Sequence, residues 1–458
     1  MKRWRAFSFA RKIKHKLVNQ NTRTKQSLRN SFYMFFIRMM SMGISFLYVP
    51  ILIHQLNNVN YGIWLTLTSI VSWCSFLDIG LGHGLRNLLA EAIAKNERDR
   101  MKSLVGTSYI ILSIISLLFI PIVCIVFPFF NWAKILNAPP SMEVELLLLS
   151  IVVIICFFLQ FTLRLINSIL FAVQKPALSS FISFIAQFIA FIVVFILSLQ
   201  DKSYSLLIYG SIISIIPIVV MLLYTFILFR TQLNFLSFTL KDIKFSLAPQ
   251  LFNLGLKFFS IQLTAILLFQ TNNLILAHVA GPDKVTDFNL SYKYIGIVSM
   301  IFTIIVTPMW SATTDAYHRQ DFDWIKKTIR ALRKVFLLMS IGGIVLVTMS
   351  GWVYSIWVKD AVQVDYGIQI LVLLYFLCSM WCGIHCNIIN GIGKVKLQFV
   401  MTTVEAFVHI PLAIFLGRLY GVYGVLTSMF LMTFINTIWE PIQINKILNN
   451  KATGIWDS

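Results

Sequence analysis

Apolar residues along this chain come in long runs rather than in alternation. Leu104–Phe127, Ala177–Leu199, Leu206–Phe229 and Val335–Val358 each extend over 23 or 24 residues without Asp, Glu, Lys or Arg. An α-helix rises about 1.5 Å per residue, so about 20 such residues cross a hydrocarbon core. The period-two alternation that marks an outer-membrane barrel is absent from these runs. The pattern predicts membrane-spanning helices.

Extending it along the chain gives about twelve spans: 31–53, 61–80, 104–128, 146–173, 177–199, 205–229, 251–280, 288–311, 333–358, 366–391, 397–419 and 421–445. Helix breakers separate several of them, among them Gln174-Lys175-Pro176, Asn137-Ala138-Pro139-Pro140 and Gly281-Pro282-Asp283. The series also looks duplicated. Ile51-Leu52-Ile53-His54 closes span 1, and Ile275-Leu276-Ala277-His278 closes span 7. Six spans separate the copies, so the halves share one orientation, and a parallel repeat of this kind places a substrate path between its halves. The expected organisation is a basic amino-terminal segment (1–30), an N-lobe of six helices (31–229), a linker (230–250), a C-lobe of six helices (251–447) and a tail (448–458). The fold class is all-α, a polytopic membrane protein of two pseudo-symmetric lobes.

Composition agrees. Hydrophobic residues make up 58% and charged residues 12% of the chain, against about 25% charged in a soluble domain. No polar stretch between the runs is long enough to hold a soluble domain, which leaves no room for a glycosyltransferase or polymerase active site. An enzyme is therefore not expected. The six cysteines fall inside apolar segments and give no disulfide framework. Cys378, Cys382 and Cys386 recur on one helix face beside His385. Small polarizable packing residues are the ordinary reading of that stripe, and a metal site is not expected.

Charge orients the chain. With a cytoplasmic amino terminus, 29 of the 38 Lys and Arg fall in cytoplasmic segments and four (Lys134, Lys202, Lys284, Lys359) in external loops. The positive-inside rule then places both termini in the cytoplasm. The first 30 residues hold ten Lys or Arg and no acid. Two readings stand for them, an interfacial helix on anionic lipid and a solvated basic tail. A segment joined directly to a membrane span has its polyanion in the leaflet, so nucleic acid is not an expected partner. No short apolar core with a small-residue cleavage site precedes the first span, and a cleaved signal is not expected.

A charge inside a span costs about 2.5–3.5 kcal/mol on insertion scales, so each is a functional candidate. Arg38 and Lys257 lie two turns into spans 1 and 7, the duplicated positions. Arg164 lies in the cytoplasmic half of span 4 and Lys293 near the outer end of span 8. Together they could line a path for an anionic substrate. The competing reading is that long basic side chains near span ends, Arg418 above all, snorkel to the interface. Of the acids, Asp78, Asp315 and Glu440 lie near cytoplasmic span ends, where capping or ion pairing is the simpler role, although Asp78 stays a candidate for ion coupling. Glu405 is deepest, with His409 one turn on at the same face. That pair could take up a proton or cation, or could equally bind two packed helices together. Gly80-Leu-Gly82-His-Gly84 follows a membrane helix and lacks the Lys-Ser/Thr ending of a phosphate loop, so glycine packing explains it better.

Several stretches together resemble a known family. These are Tyr61-Gly-Ile-Trp64 with Phe76-Leu-Asp78-Ile-Gly-Leu-Gly-His-Gly-Leu-Arg86-Asn87, Gly255-Leu-Lys257-Phe-Phe, Phe269-Gln-Thr-Asn272-Asn273, Gly281-Pro282 with Val285-Thr286, and Pro308-Met-Trp310-Ser with Thr314-Asp315-Ala316-Tyr317. The chain is similar over essentially its whole length to the O-antigen and capsule repeat-unit flippases of the multidrug/oligosaccharidyl-lipid/polysaccharide exporter superfamily. The resemblance implies a V-shaped pair of six-helix lobes around a cationic cavity in a bacterial inner membrane. It implies as cargo an undecaprenyl-pyrophosphate-linked oligosaccharide, flipped to the outer leaflet by alternating access. Spans 1, 2, 7 and 8 line the cavity in such flippases, which admits Arg38, Lys257 and Lys293, with Asn272 and Asn273 on span 7. Relatives often carry an acid where this chain has Asn272, so coupling to H+ or Na+ is expected to fall on Glu405 instead. No cofactor is implied. Polysaccharide polymerase and glycosyltransferases are the expected protein partners, and membrane lipids the surroundings. A multidrug exporter of the same fold is the competing reading. Cationic drugs call for acids in the cavity, whereas this chain offers bases.

Overall fold

The computed structural model describes residues 2–74, 80–200, 204–252, 271–307, 309–358 and 365–457. The side chains of residues 2–32, 94, 311, 314, 315 and 318 are not part of that description. Asp78, Lys257, most of span 7 and the side chains of the basic amino-terminal segment therefore lie outside the described residues.

Among the described residues the chain is helical without strands, and ten helices are long and apolar enough to cross a membrane. The first of these, Tyr33–Trp73, is 41 residues long, about twice what one crossing needs. It is part of a helical run, Lys2–Trp73, that breaks at Asn57 (φ 67°, ψ 172°). The contacts on either side show a hairpin. Before the break, Gln187 Nε2 donates to Ser41 O and Gln55 Nε2 to Ser198 O, so span 1 climbs alongside span 5 (Pro176–Ser198). After it, Asn58 meets Thr286 and Ser69 meets Asn273, so span 2 descends along spans 8 and 7. The run is spans 1 and 2 of the sequence reading, and a count of twelve is consistent with the rest.

The duplication appears in the backbone as well. Asn57 follows His54 by three residues, and Gly281 follows His278 by three. Gly281 (φ 99°, ψ 158°) adopts nearly the same backbone as Asn57, a region otherwise left almost entirely to glycine. Asn57 holds the conformation with a local bond, Oδ1 accepting from Asn60 N at 2.9 Å.

The two lobes are joined at one end. A single buried apolar cluster runs from Leu52, Leu67 and Leu149 of the N-lobe into Leu276, Phe288, Val372 and Val425 of the C-lobe. The other half of the C-lobe packs around Phe302, Ile329, Ile388 and Ile444, in a cluster with no N-lobe member among the described residues. Trp357 Nε1 donating to Phe46 O and Asn137 Nδ2 donating to Ala277 O add polar links at the joined end. The linker belongs to the N-lobe. Thr107 Oγ1 and Lys244 exchange hydrogen bonds, and Phe238 stacks on Tyr109.

Candidate functional site

Span 4 is interrupted where the helix Glu143–Leu163 gives way to Leu165–Ala172, and Arg164 sits at that junction. Its Nη2 donates to Gln160 Oε1 at 3.3 Å, and its guanidinium lies over the Phe157 ring at 6.0 Å. Gln160 is held in turn by span 6, Nε2 donating to Ser214 O at 3.2 Å. From the C-lobe, Lys293 Nζ approaches Tyr61 OH at 3.4 Å.

Arg164 and Lys293 both line one cavity of about 390 Å³, with Tyr48, Tyr61, Trp64, Asn167 and Gln187 among its walls. A second hollow of about 390 Å³ opens on the other side of Trp64, Gln160 and Arg164, toward Thr68 and Phe157. Among the described residues no acid lines either. The amides are fixed but not exhausted. Gln187 spends a donor on Ser41 O, and Asn167 Oδ1 accepts from Ser179 Oγ at 2.9 Å, while each amide can form further bonds. Rings, amides and two cations in one hollow suit a polar, anionic, hydroxyl-rich ligand.

The other candidates fall into three groups. Arg38 is exposed beside Tyr33, Phe36, Met39 and Met40 and lines neither hollow. Its expected pairing with Lys257 lies outside the described residues. Asn273 joins the lobes, its Nδ2 donating to Ser69 Oγ at 2.8 Å and its Oδ1 accepting from Asn289 Nδ2 at 2.9 Å. Asn272 is fully buried and lies 2.8 Å from His409 Nε2 through its Oδ1. Glu405 and His409 both border a pocket of about 170 Å³ inside the C-lobe. Glu405 Oε2 accepts from Asn436 Nδ2 at 3.0 Å, whereas His409 turns to Asn272 and to Ser428 Oγ at 3.0 Å. The cysteine stripe makes ordinary polar contacts, with Cys382 Sγ on Thr433 O and Cys386 Sγ accepting from Gln398.

A profile of the family described as "Polysaccharide biosynthesis protein" matches residues 27–313. The chain belongs to this polysaccharide biosynthesis family. Two candidate O-antigen transporters are similar to it. One, from Salmonella typhi, is 20% identical over 418 residues, covering 87% of this chain and 90% of that protein. The other, from Salmonella typhimurium, is 21% identical over 409 residues, covering 87% and 91%. Among solved structures, the inward-facing conformation of a multidrug resistance MATE family transporter of the MOP superfamily aligns with a TM-score of 0.73 at 15% identity, over 92% of this chain and all of that one. The outward-facing conformation of such a transporter aligns with a TM-score of 0.57 at 16% identity, over 93% and 97%. At these identities the structures establish the fold alone: all-α, with two lobes.

Within that family frame, Arg164 and Lys293 are the sequence candidates that the fold brings into one cavity. Sequence reasoning passed over the neutral part of the site, Tyr61, Trp64, Gln160, Asn167 and Gln187. Gln160 and Gln187, amides inside spans 4 and 5, were the available signal. It also set Glu440 aside as a capping or ion-pairing group, but the structure buries that side chain to 4% exposure.

Proposed function

We propose that this polysaccharide biosynthesis protein is a flippase that moves an undecaprenyl-pyrophosphate-linked oligosaccharide repeat unit from the cytoplasmic to the outer leaflet of a bacterial inner membrane. One observation carries the reading: among the described residues, Arg164 and Lys293 share a hollow with rings and amides and without acids. Two cations offset the pyrophosphate, while Trp64, Tyr61 and the amides meet sugar faces and hydroxyls. Lobes joined at one end and separately cored at the other support alternating access, because rocking about the joined end alternates the openings without unfolding either core. No residue set in this reading performs covalent chemistry. The polymerase and glycosyltransferases of surface polysaccharide synthesis supply and consume the cargo, and Glu405 is the residue through which an H+ or Na+ gradient drives the cycle.

Reconstitution into proteoliposomes tests this. Wild-type protein should move a lipid-linked oligosaccharide between leaflets, scored by accessibility of its sugar to an added lectin. Arg164→Ala and Lys293→Ala should each weaken substrate binding about 10- to 150-fold, the equivalent of about 1.5–3 kcal/mol for one charge-assisted contact. Unaltered flipping in both variants would remove the cavity from the path. Export of cationic dyes without flipping would favour a multidrug exporter.

A further inference from the structure

The C-lobe holds a second buried carboxylate beside Glu405. Glu440, on span 12 (Val422–Leu448), is 4% exposed, and Glu405, on span 11 (Lys396–Tyr420), is 5% exposed. Asn436, one helical turn from Glu440, donates through Nδ2 to Glu405 Oε2 at 3.0 Å. Its orientation is forced. Trp439 Nε1 donates to Asn436 Oδ1 at 2.7 Å, and an indole can only donate, so the amide nitrogen must face Glu405. That arrangement satisfies one oxygen of one carboxyl. Glu405 Oε1 and Glu440 Oε2 are both buried without a hydrogen-bond partner.

Among the described residues, the groups packed around the pair supply no counter-charge. Cys382 and Cys386 approach Glu440 from span 10, the Cys382 thiol donating to Thr433 O, and Glu405 itself repels it from span 11. His409 occupies both ring nitrogens. With Asn272 Oδ1 as acceptor Nε2 carries the proton, and Nδ1 accepts from Ser428 Oγ. Arg333, on span 9, lies against His385 and the Trp381 ring. Among the described residues neither carboxylate makes an ion pair. Two carboxylates in a low-dielectric interior cannot both stay ionised without a positive charge beside them.

We propose that Glu405 and Glu440 together bind one monovalent positive charge, a proton or Na+. A proton would sit on one carboxyl, leaving the other ionised. A sodium ion would take the two unpartnered oxygens as ligands, with further oxygen donors from the pocket beside Glu405, where Thr402 and Thr433 stand. The site has a mechanical output. Glu405 and His409 share a helix face, His409 holds Asn272 of span 7, and neighbouring Asn273 holds Ser69 of the other lobe. Occupancy between spans 11 and 12 thereby bears on the junction of the lobes. This inference deepens the coupling reading and rests on it only for that output.

Full-length protein purified in detergent tests it by thermal unfolding, with choline replacing sodium in one series and pH varied without sodium in another. If Na+ is the ligand, saturating Na+ should raise the midpoint by about 2 °C or more at constant pH. If a proton is, the midpoint should rise as pH falls, with Na+ inert. In either case Glu405→Gln and Glu440→Gln should each abolish the response, because Gln keeps the size but neither titrates nor carries charge. No response in wild type, or an intact one in Glu440→Gln, overturns the proposal. Should Glu440→Gln not fold, wild-type protein decides. Dicyclohexylcarbodiimide should label Glu405 or Glu440, mapped by peptide mass, with protection by Na+ or high pH, and absence of labelling at both also overturns it. Neither readout uses polysaccharide, so failure here leaves the flippase reading to its own assay.

Discussion

Gly62 of span 2 lies directly against the carbonyl of Pro282 at the head of span 8, so closely that a β-carbon on Gly62 would stand 1.8 Å from that oxygen. Beside it, Thr286 Oγ1 donates to Asn58 O at 2.8 Å. These are contacts between lobes, at the end where the two share one apolar cluster.

A methyl group should therefore act as a wedge. Gly62→Ala is expected to part the joined end, because the obstructing atoms are backbone and cannot rotate away. Cysteines introduced near Asn58 and Thr286 should become more reactive toward an impermeant maleimide in the Gly62→Ala background. Flipping should fall at least tenfold, since a lobe junction that no longer closes cannot complete the cycle. Unchanged reactivity would mean that span 8 shifts to absorb the methyl.

The Asn57 turn makes a second prediction. A non-glycine residue in this backbone region costs about 1–3 kcal/mol, partly offset here by the bond to Asn60 N. Asn57→Gly should keep stability within about 1 kcal/mol of wild type and retain transport. Asn57→Val, β-branched and without the side-chain acceptor, should lose about 1–3 kcal/mol. Unfolding midpoints in detergent decide between them.

The sidedness expected from the 29-to-4 split of basic residues is open to a direct test. The loops expected on one side do meet in space. Asn137 reaches Ala277 and Gln55 reaches Ser198 at one end, while Thr107 meets Lys244 and Lys394 pairs with Asp457 at the other. Single cysteines near Lys134, Lys202, Lys284 and Lys359 should label from outside intact cells. Cysteines in 86–103 or 312–330 should not, and labelling there reverses the assignment.

Energy coupling can be read in proteoliposomes under an imposed ion gradient. Glu405→Gln should abolish the response to the gradient while leaving slow downhill flipping, because the neutral amide fills the same space without changing charge. A full gradient response in that variant removes Glu405 from the coupling site.

Much of this was written in the linear chain. Runs such as Leu206–Phe229 announce spans because a helix in lipid must satisfy its backbone internally and needs about 20 apolar residues to cross. Loop charges carry an expected orientation, and the matched stretches around His54 and His278 carry the repeat. The direction of each side chain was not legible. A helix that is apolar on every side has no polar stripe to tell the cavity from the lipid. Only packing showed that Arg164 and Lys293 share a hollow while Arg38 is exposed outside it, and that Gln160 aims Arg164. Distance along a span also misled about Glu440. Near the span end it suggested a cap or an ion pair, but the neighbouring helices close over it and place it with Glu405. Sequence alone determined that this chain crosses a bilayer and about how often. Tertiary structure decided which of its rare polar groups face one another, because that depends on helix rotation and on contacts between residues more than a hundred positions apart.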